Sequence, residues 1–168
     1  MSTYLITGIA GSGKSTIKSE LINRGYTAYD VDDGMAHWIH RTTGTPVAYD
    51  PALVPMTDEH DWSINKSVLD RALESDNIVF ICGSAHDLYC YFDRFDTVFL
   101  LQYPSAESVR TRLVSRTDNS YGKDPKELAS IISYWKDYEQ EYVTHGAEVI
   151  DCTTPLNDVV NRILGVTS

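Results

Sequence analysis

Three glycines within six residues, followed at once by a lysine and a serine, constrain this chain more than any other feature. Gly8-Ile-Ala-Gly-Ser-Gly-Lys14-Ser15 matches the pattern G-x-x-x-x-G-K-[ST], and it follows the short apolar run Tyr4-Leu-Ile-Thr7 and precedes a helical pattern from Lys14 to Arg24. A glycine-rich turn between a buried strand and a helix N-terminus lets consecutive backbone N–H groups point inward at an anion, and the helix dipole adds partial positive charge at the same place. The turn therefore reads as a phosphate cradle. Gly8, Gly11, Ser12 and Gly13 form its wall, Lys14 reaches the terminal phosphates, and Ser15 places a hydroxyl on the accompanying Mg²⁺. Thr16 is counted with these nucleotide-binding residues, its hydroxyl being expected to cap or pack against neighbouring backbone.

The rest of the chain is organised to suit that opening. Tyr26–Val31, Asn77–Cys82, Asp96–Leu101 and Ala147–Ile150 are further short strands. Helical patterns are expected at Asp33–Thr43, with Asp33 as N-cap, and at Asp58–Ser75, Ser105–Arg116, Pro125 to about Thr144 and Pro155–Leu164. Near-continuous apolar strands alternating with helices imply an α/β three-layer sandwich with a parallel sheet covered on both faces. Its 168 residues, 42% hydrophobic, suit a single domain over 1–168. Two polar, turn-rich stretches are expected to act as lids, an acceptor-side loop at about 44–57 and a short lid at about 117–124.

Composition excludes several classes. The three cysteines, Cys82, Cys90 and Cys152, form no C-x-x-C pair, which disfavours a disulfide framework or zinc ribbon and suits a reducing, cytoplasmic location. The N-terminal apolar run is too short for a signal peptide or a membrane span, so no membrane partner is expected. A net charge of -10 repels polyanions and disfavours nucleic acid.

Hydrolytic phosphate-loop machines keep an Asp, often followed by Glu, at the end of an apolar strand. Here the third strand exits through Cys82-Gly83-Ser84-Ala85. The acids lie elsewhere, in Asp30-Val-Asp32-Asp33 after the second strand. Asp30 and Asp32 are two apart, so on extended backbone they share a side at the carboxyl edge of the sheet, where a metal and a proton acceptor would be wanted. The alternative is that they are solvated turn residues and that Asp33 is a helix cap.

The Gly8–Thr16 loop, the segment Tyr29-Asp-Val-Asp-Asp33 leading to Arg41-Thr-Thr-Gly44, and a strand exit through Gly83 together resemble shikimate kinase and gluconate kinase. More broadly they resemble the small phosphate-loop kinases that include the nucleoside monophosphate kinases. The resemblance implies a five-stranded parallel sheet in the order 2-3-1-4-5, a mobile lid, ATP and Mg²⁺ as cofactors, and transfer of the γ-phosphoryl group to a small-molecule acceptor. It implies that Asp30 holds Mg²⁺ through water and that Asp32 accepts the acceptor's proton. The chain departs from shikimate kinases in having one arginine, Arg71, between Thr42 and Asp93, so no carboxylate clamp is evident, and it lacks the Asp-Gly-[Phe/Tyr]-Pro exit of adenylate-kinase-type enzymes.

Arg110, Arg112, Arg116, Lys123 and Lys126 cluster in an otherwise acidic chain. Arg112 and Arg116 stand four apart and share a helix face, so Arg116 is expected to stabilise the transferring group. By the resemblance, Arg112 stacks on adenine, and Asp151-Cys-Thr-Thr-Pro155 covers the adenine edge through Thr153 and Pro155. The guanine motif Asn-Lys-x-Asp is absent, which favours ATP. His37 and His40 with Asp33 have helical metal-binding spacing, but an exposed helix face explains them better. Trp62 shares a helical stripe with Leu69 and Leu73, yet with His60 it also lies where an acceptor lid would close. Two other readings compete: an ATP-dependent switch with no diffusible acceptor, and a polynucleotide-end kinase, which would need a basic groove.

Overall fold

The computed structural model describes residues 2–48, 59–74, 77–117 and 120–166. Five parallel strands make the main sheet: β1 (Ser2–Thr7), β2 (Thr27–Asp30), β5 (Ile78–Cys82), β6 (Thr97–Gln102) and β7 (Glu148–Asp151), in the order β2-β5-β1-β6-β7. Counted among the parallel strands alone this is 2-3-1-4-5, the expected order. β1 is central, pairing with β5 (Leu5 with Ile81) on one side and with β6 (Leu5 with Val98) on the other. Its apolar side chains alternate between two cores, as the two-residue period of a strand requires. Tyr4 and Ile6 join a core built with Ile17 and Leu21 of α1 (Lys14–Asn23), Leu113 of α3 (Ala106–Ser115) and Ile163 of α5 (Leu156–Val166). Leu5 joins a second core with Val79, Ile81 and Leu100, closed by Leu69 and Leu73 of α2 (Lys66–Leu73). The long helix α4 (Pro125–Thr144) serves both, through Ile131 and Trp135 to the first and Tyr142 to the second. Among the described residues no helix is long and apolar enough to cross a membrane.

Two helical expectations fail. In place of a helix over Asp33–Thr43, the chain turns through residues 31–35 and enters β3 (Ala36–His40), which pairs antiparallel with β4 (His60–Ile64). Gly34 has φ +82°, a left-handed conformation that ends any helix begun at Asp33. Asp33 is thus no helix cap; its N–H closes a tight turn onto Asp30 O at 3.1 Å. The His37/His40/Asp33 helix face does not exist, and His40 instead meets His60 edge-to-face across the hairpin. Within the described part of the expected helix Asp58–Ser75, His60–Ile64 is the strand β4 and only Lys66–Leu73 is helical, so the helical stripe that joined Trp62 to Leu69 and Leu73 is not formed. Between β5 and β6 the crossover carries a 3-10 segment, Leu88–Arg94, in place of an α-helix. The acceptor-side loop at 44–57 falls largely outside the described residues, as do Asp118 and Asn119 of the short lid.

Candidate active site

The glycine-rich loop links the end of β1 to the start of α1. Gly13, the residue before α1, sits at φ +102°, a conformation that L side chains avoid, and Ile17 N–H returns to Gly13 O at 3.0 Å. No side chain caps α1 and no acid lies in its first turn. Two other helices are capped from within, α3 by Ser105 with Glu107 following and α4 by Asp124 with Glu127 following, whereas α2 lacks a side-chain cap as α1 does but does not open onto the cavity. The first N–H groups of α1 are therefore left for an external anion.

These N–H groups open into a cavity of about 1200 Å³. Its floor is the loop, with Gly11, Ser12, Gly13, Lys14, Ser15 and Thr16 all in the lining. Gly8 lies behind the loop, where a Cβ would press on Leu101 O and Ser12 Oγ, so its role is close packing of the loop against β6. One end of the cavity is walled by Arg112, Thr153 and Pro155, the other by Asp32, Trp38 and Trp62, with Arg116 also in the lining. Arg112 donates to Cys152 O at 3.2 Å, tying α3 to the loop after β7. That loop is ordered by Asp151, whose Oδ1 accepts from Thr153 N–H and Oγ1. Arg110 points elsewhere, toward Glu107 one turn back on α3. Arg116 ends α3 and donates through one guanidinium nitrogen to Tyr121 O, while its Nε is buried with no hydrogen-bond partner. Ser12 Oγ is buried and unpartnered as well.

Lys14 Nζ donates to the backbone oxygens of Gly8 (2.6 Å) and Ile9 (2.9 Å). Burial pulls its pKa down to about 8, against the pull of Asp32 and Asp30, whose negative charges favour the ammonium. Asp32 moves the other way. Desolvation, then the like charge of Asp30, raises its pKa above the ordinary carboxylate value, and the Trp62 hydrogen bond and Lys14 partly oppose the rise. Trp62 Nε1 donates to Asp32 Oδ1 at 3.1 Å. Asp30 is not brought to this cavity. Its Oδ2 is held by Lys18 Nζ at 3.0 Å and its Oδ1 accepts the Asp32 N–H at 3.1 Å, and it lines a smaller cavity of about 440 Å³. Among the described residues no group of three acids, histidines or cysteines could hold a metal ion by itself.

Sequence reasoning missed Trp38, Ser84, His86, Tyr121, Tyr134 and Tyr138, all in the lining. Trp38 is placed only by pairing, since Ala36, Trp38 and His40 share a face with Ile64, Trp62 and His60 in the register. His60 lies beyond Trp62 on that face and is not in the cavity wall. Tyr138 Oη and Thr7 Oγ1 are hydrogen-bonded at 3.0 Å, which joins α4 to the end of β1.

Solved structures match this arrangement along almost its full length. A shikimate kinase from Aquifex aeolicus covers 99% of the chain and 96% of its own length at 22% identity and a TM-score of 0.55. The fold is that of the phosphate-loop kinases. A gluconokinase from Sinorhizobium meliloti 1021 superposes with a TM-score of 0.59 at 16% identity, covering 98% of this chain and 90% of its own. A deoxyadenosine kinase from M. mycoides with bound dATP gives 0.56 at 16% identity, covering 99% and 100%. No protein-family model matches the chain, and no curated protein matches it. At these identities the likeness to phosphate-loop kinases is one of architecture, and the chemistry has to be argued from this chain's own residues.

Proposed function

We propose that this chain transfers the γ-phosphoryl group of MgATP to a hydroxyl of a small-molecule acceptor. The observation that carries the reading is the convergence on one cavity of the uncapped α1 N-terminus, Lys14, Arg116 with its buried and partnerless Nε, and Asp32. A buried donor without a partner costs about 1–3 kcal/mol, so Arg116 Nε, on a residue whose charge reaches Lys14, favours a ligand rich in acceptor oxygens. A polyphosphate is such a ligand.

In this reading the loop N–H groups hold the β-phosphate, and Lys14 exchanges its two backbone oxygens for phosphate oxygens. Arg116 adds its charge where the transferring group carries most negative charge. Arg112 and the 153–155 segment wall the adenine end. Asp32 takes the acceptor's proton. Its raised pKa brings it nearer neutrality, where a general base works best. Mg²⁺ keeps few protein ligands and relies on phosphate oxygens and water. Ser15, which lines the cavity in the first turn of α1, fits that demand. When bound, the ion neutralises charge on the phosphate oxygens. Asp30, committed to Lys18, shapes the turn that carries Asp32, and any reach to the ion would be through water.

The test is acceptor-dependent ADP formation over a panel of nucleosides, sugars, sugar acids and aromatic alcohols, with the products weighed for an added phosphoryl group. ADP formation that follows the acceptor supports the reading. Calorimetry that finds no MgATP binding would overturn it.

A further inference from the structure

The acceptor end of the cavity differs in chemistry from the nucleotide end. The cations in the cavity wall are Lys14 on the loop and Arg112 and Arg116 on α3. No cation flanks Asp32 on the hairpin side. Arg41 is bound to Asp61, with Nη2 at 2.9 Å and Nε at 3.1 Å from Oδ1, and the exposed His86 ring lies 3.9 Å from the same carboxylate. The residues outside the described parts add none, because 49–58 read Tyr-Asp-Pro-Ala-Leu-Val-Pro-Met-Thr-Asp and the others contain no Lys, Arg or His. An acceptor carboxylate seated here would meet the like charge of Asp32 with no lysine or arginine of the hairpin turned to it, which is unfavourable.

What this end does offer is aromatic surface. Trp38 and Trp62 face each other across the β3–β4 pair with ring centroids 5.3 Å apart and planes inclined at 58°, both half-buried and both in the cavity wall. The base of the hairpin is anchored so that this pair stays in place. Ala36 and Ile64 are in the core, His86 N–H donates to Trp62 O at 2.7 Å, and Asp87 accepts from Ser63 Oγ and Ile64 N–H. Two indoles at this inclination present a face and an edge to one flat ring, the arrangement in which aromatic rings attract. Trp62 also holds Asp32 through its N–H. A ring resting on this pair would therefore carry its hydroxyl beside the proton acceptor.

We propose that the acceptor is an uncharged alcohol bearing a flat ring, of the chemical class of a nucleoside, seated on Trp38 and Trp62. The proposal rests on the kinase reading and narrows it against sugar acids. The test uses the full chain with Mg²⁺ and a saturating non-hydrolysable ATP analogue, which fills the nucleotide end. Thymidine, D-gluconate and D-glucose are then added singly, with saturation-transfer NMR and calorimetry as readouts. Thymidine is expected to bind with its base protons the most strongly saturated, and gluconate and glucose at least tenfold more weakly. Trp38→Leu should weaken thymidine by about 5- to 100-fold, the span of base–aromatic stacking, without weakening the ATP analogue. Gluconate or glucose binding as tightly as thymidine, or no thymidine binding to the wild type, would overturn the proposal while leaving the kinase reading intact. Failure of the analogue itself to bind would remove both. A melting curve on Trp38→Leu separates lost stacking from lost folding, and the wild-type comparison stands without the variant.

Discussion

Asp32→Asn isolates the proton acceptor from everything else this residue does. The substitution preserves size and leaves an Oδ1 to accept from Trp62 Nε1, so the hairpin and the turn after β2 should persist. It removes the base, and a positioned general base contributes roughly 10²–10⁴-fold, which corresponds to about 3–5 kcal/mol of transition-state stabilisation. It also removes the charge that most favours the Lys14 ammonium, in a lysine already drawn down to about 8 by burial. The variant's MgATP affinity should therefore stay close to wild type at pH 7 and fall away at a lower pH than in the wild type, where Lys14 loses its charge as the pH rises past about 8. Single-turnover phosphoryl transfer with an acceptor from the panel reads the first effect, and calorimetry at pH 7 and pH 8.5 reads the second. Transfer within a few-fold of wild type would refute the base assignment. Loss of MgATP binding already at pH 7 would place Asp32 on the metal instead.

Asp30→Asn removes the like charge that helps raise Asp32, so the acid limb of kcat/KM should move to lower pH, and an unmoved limb would disconnect the two carboxylates. Gly83→Ala drives a Cβ into Val31, which is fully buried where β2 leaves the sheet. It should cost about 1–3 kcal/mol and roughly 2–12 °C in Tm, and an unchanged melting curve would contradict the packing argument. Glu139 is buried on α4, accepts the Tyr103 N–H at 2.9 Å, and has its pKa pushed up by burial to about 7 from 4.5. The folded chain then holds this proton more tightly than the unfolded one. Its contribution is full below pH 4.5 and is lost as the pH rises through 7. Glu139→Gln keeps an acceptor without the titration, so denaturation curves should show a smaller drop in stability between pH 5 and pH 8 than wild type, and equal drops would place the pH dependence elsewhere.

The proposed nucleotide half of the site was legible because its information is local. The glycine-rich turn sits between a strand of uninterrupted apolar residues and a helix that begins at Lys14, and backbone geometry within about ten residues makes the cradle. The sheet was legible for a related reason. β1, β5 and β6 are buried on both faces and read as near-continuous apolar runs, which few other structures produce. The pair Asp30 and Asp32 was misjudged at one step. The two-residue alternation holds only on extended backbone, and β2 ends at Asp30, so the turn through Val31 to Asp33 sends the two carboxylates to different cavities.

The acceptor half was illegible because pairing, not local pattern, makes it. Met35, Ala36, Ile39 and an Asp at the start satisfy a helical template over Asp33–Thr43, and nothing within that window announces a strand 20 residues on with which to pair. Only the register reveals the design, since Trp38 opposes Trp62, His40 opposes His60 and Ala36 opposes Ile64. A slip of one residue on one strand would turn Trp38 out of the cavity and present His37 or Ile39 in its place. What pins the register is chemistry at the base of the hairpin, where Asp87 ties down Ser63 and Ile64, and Asn65 N–H donates to Met35 O at 2.8 Å. Asp87 lies far from the phosphate loop in sequence and touches neither Trp38 nor Trp62 by these bonds. It nonetheless helps fix which side chains face Asp32, so under the proposed function acceptor choice would be a property of strand pairing and phosphate binding a property of a turn.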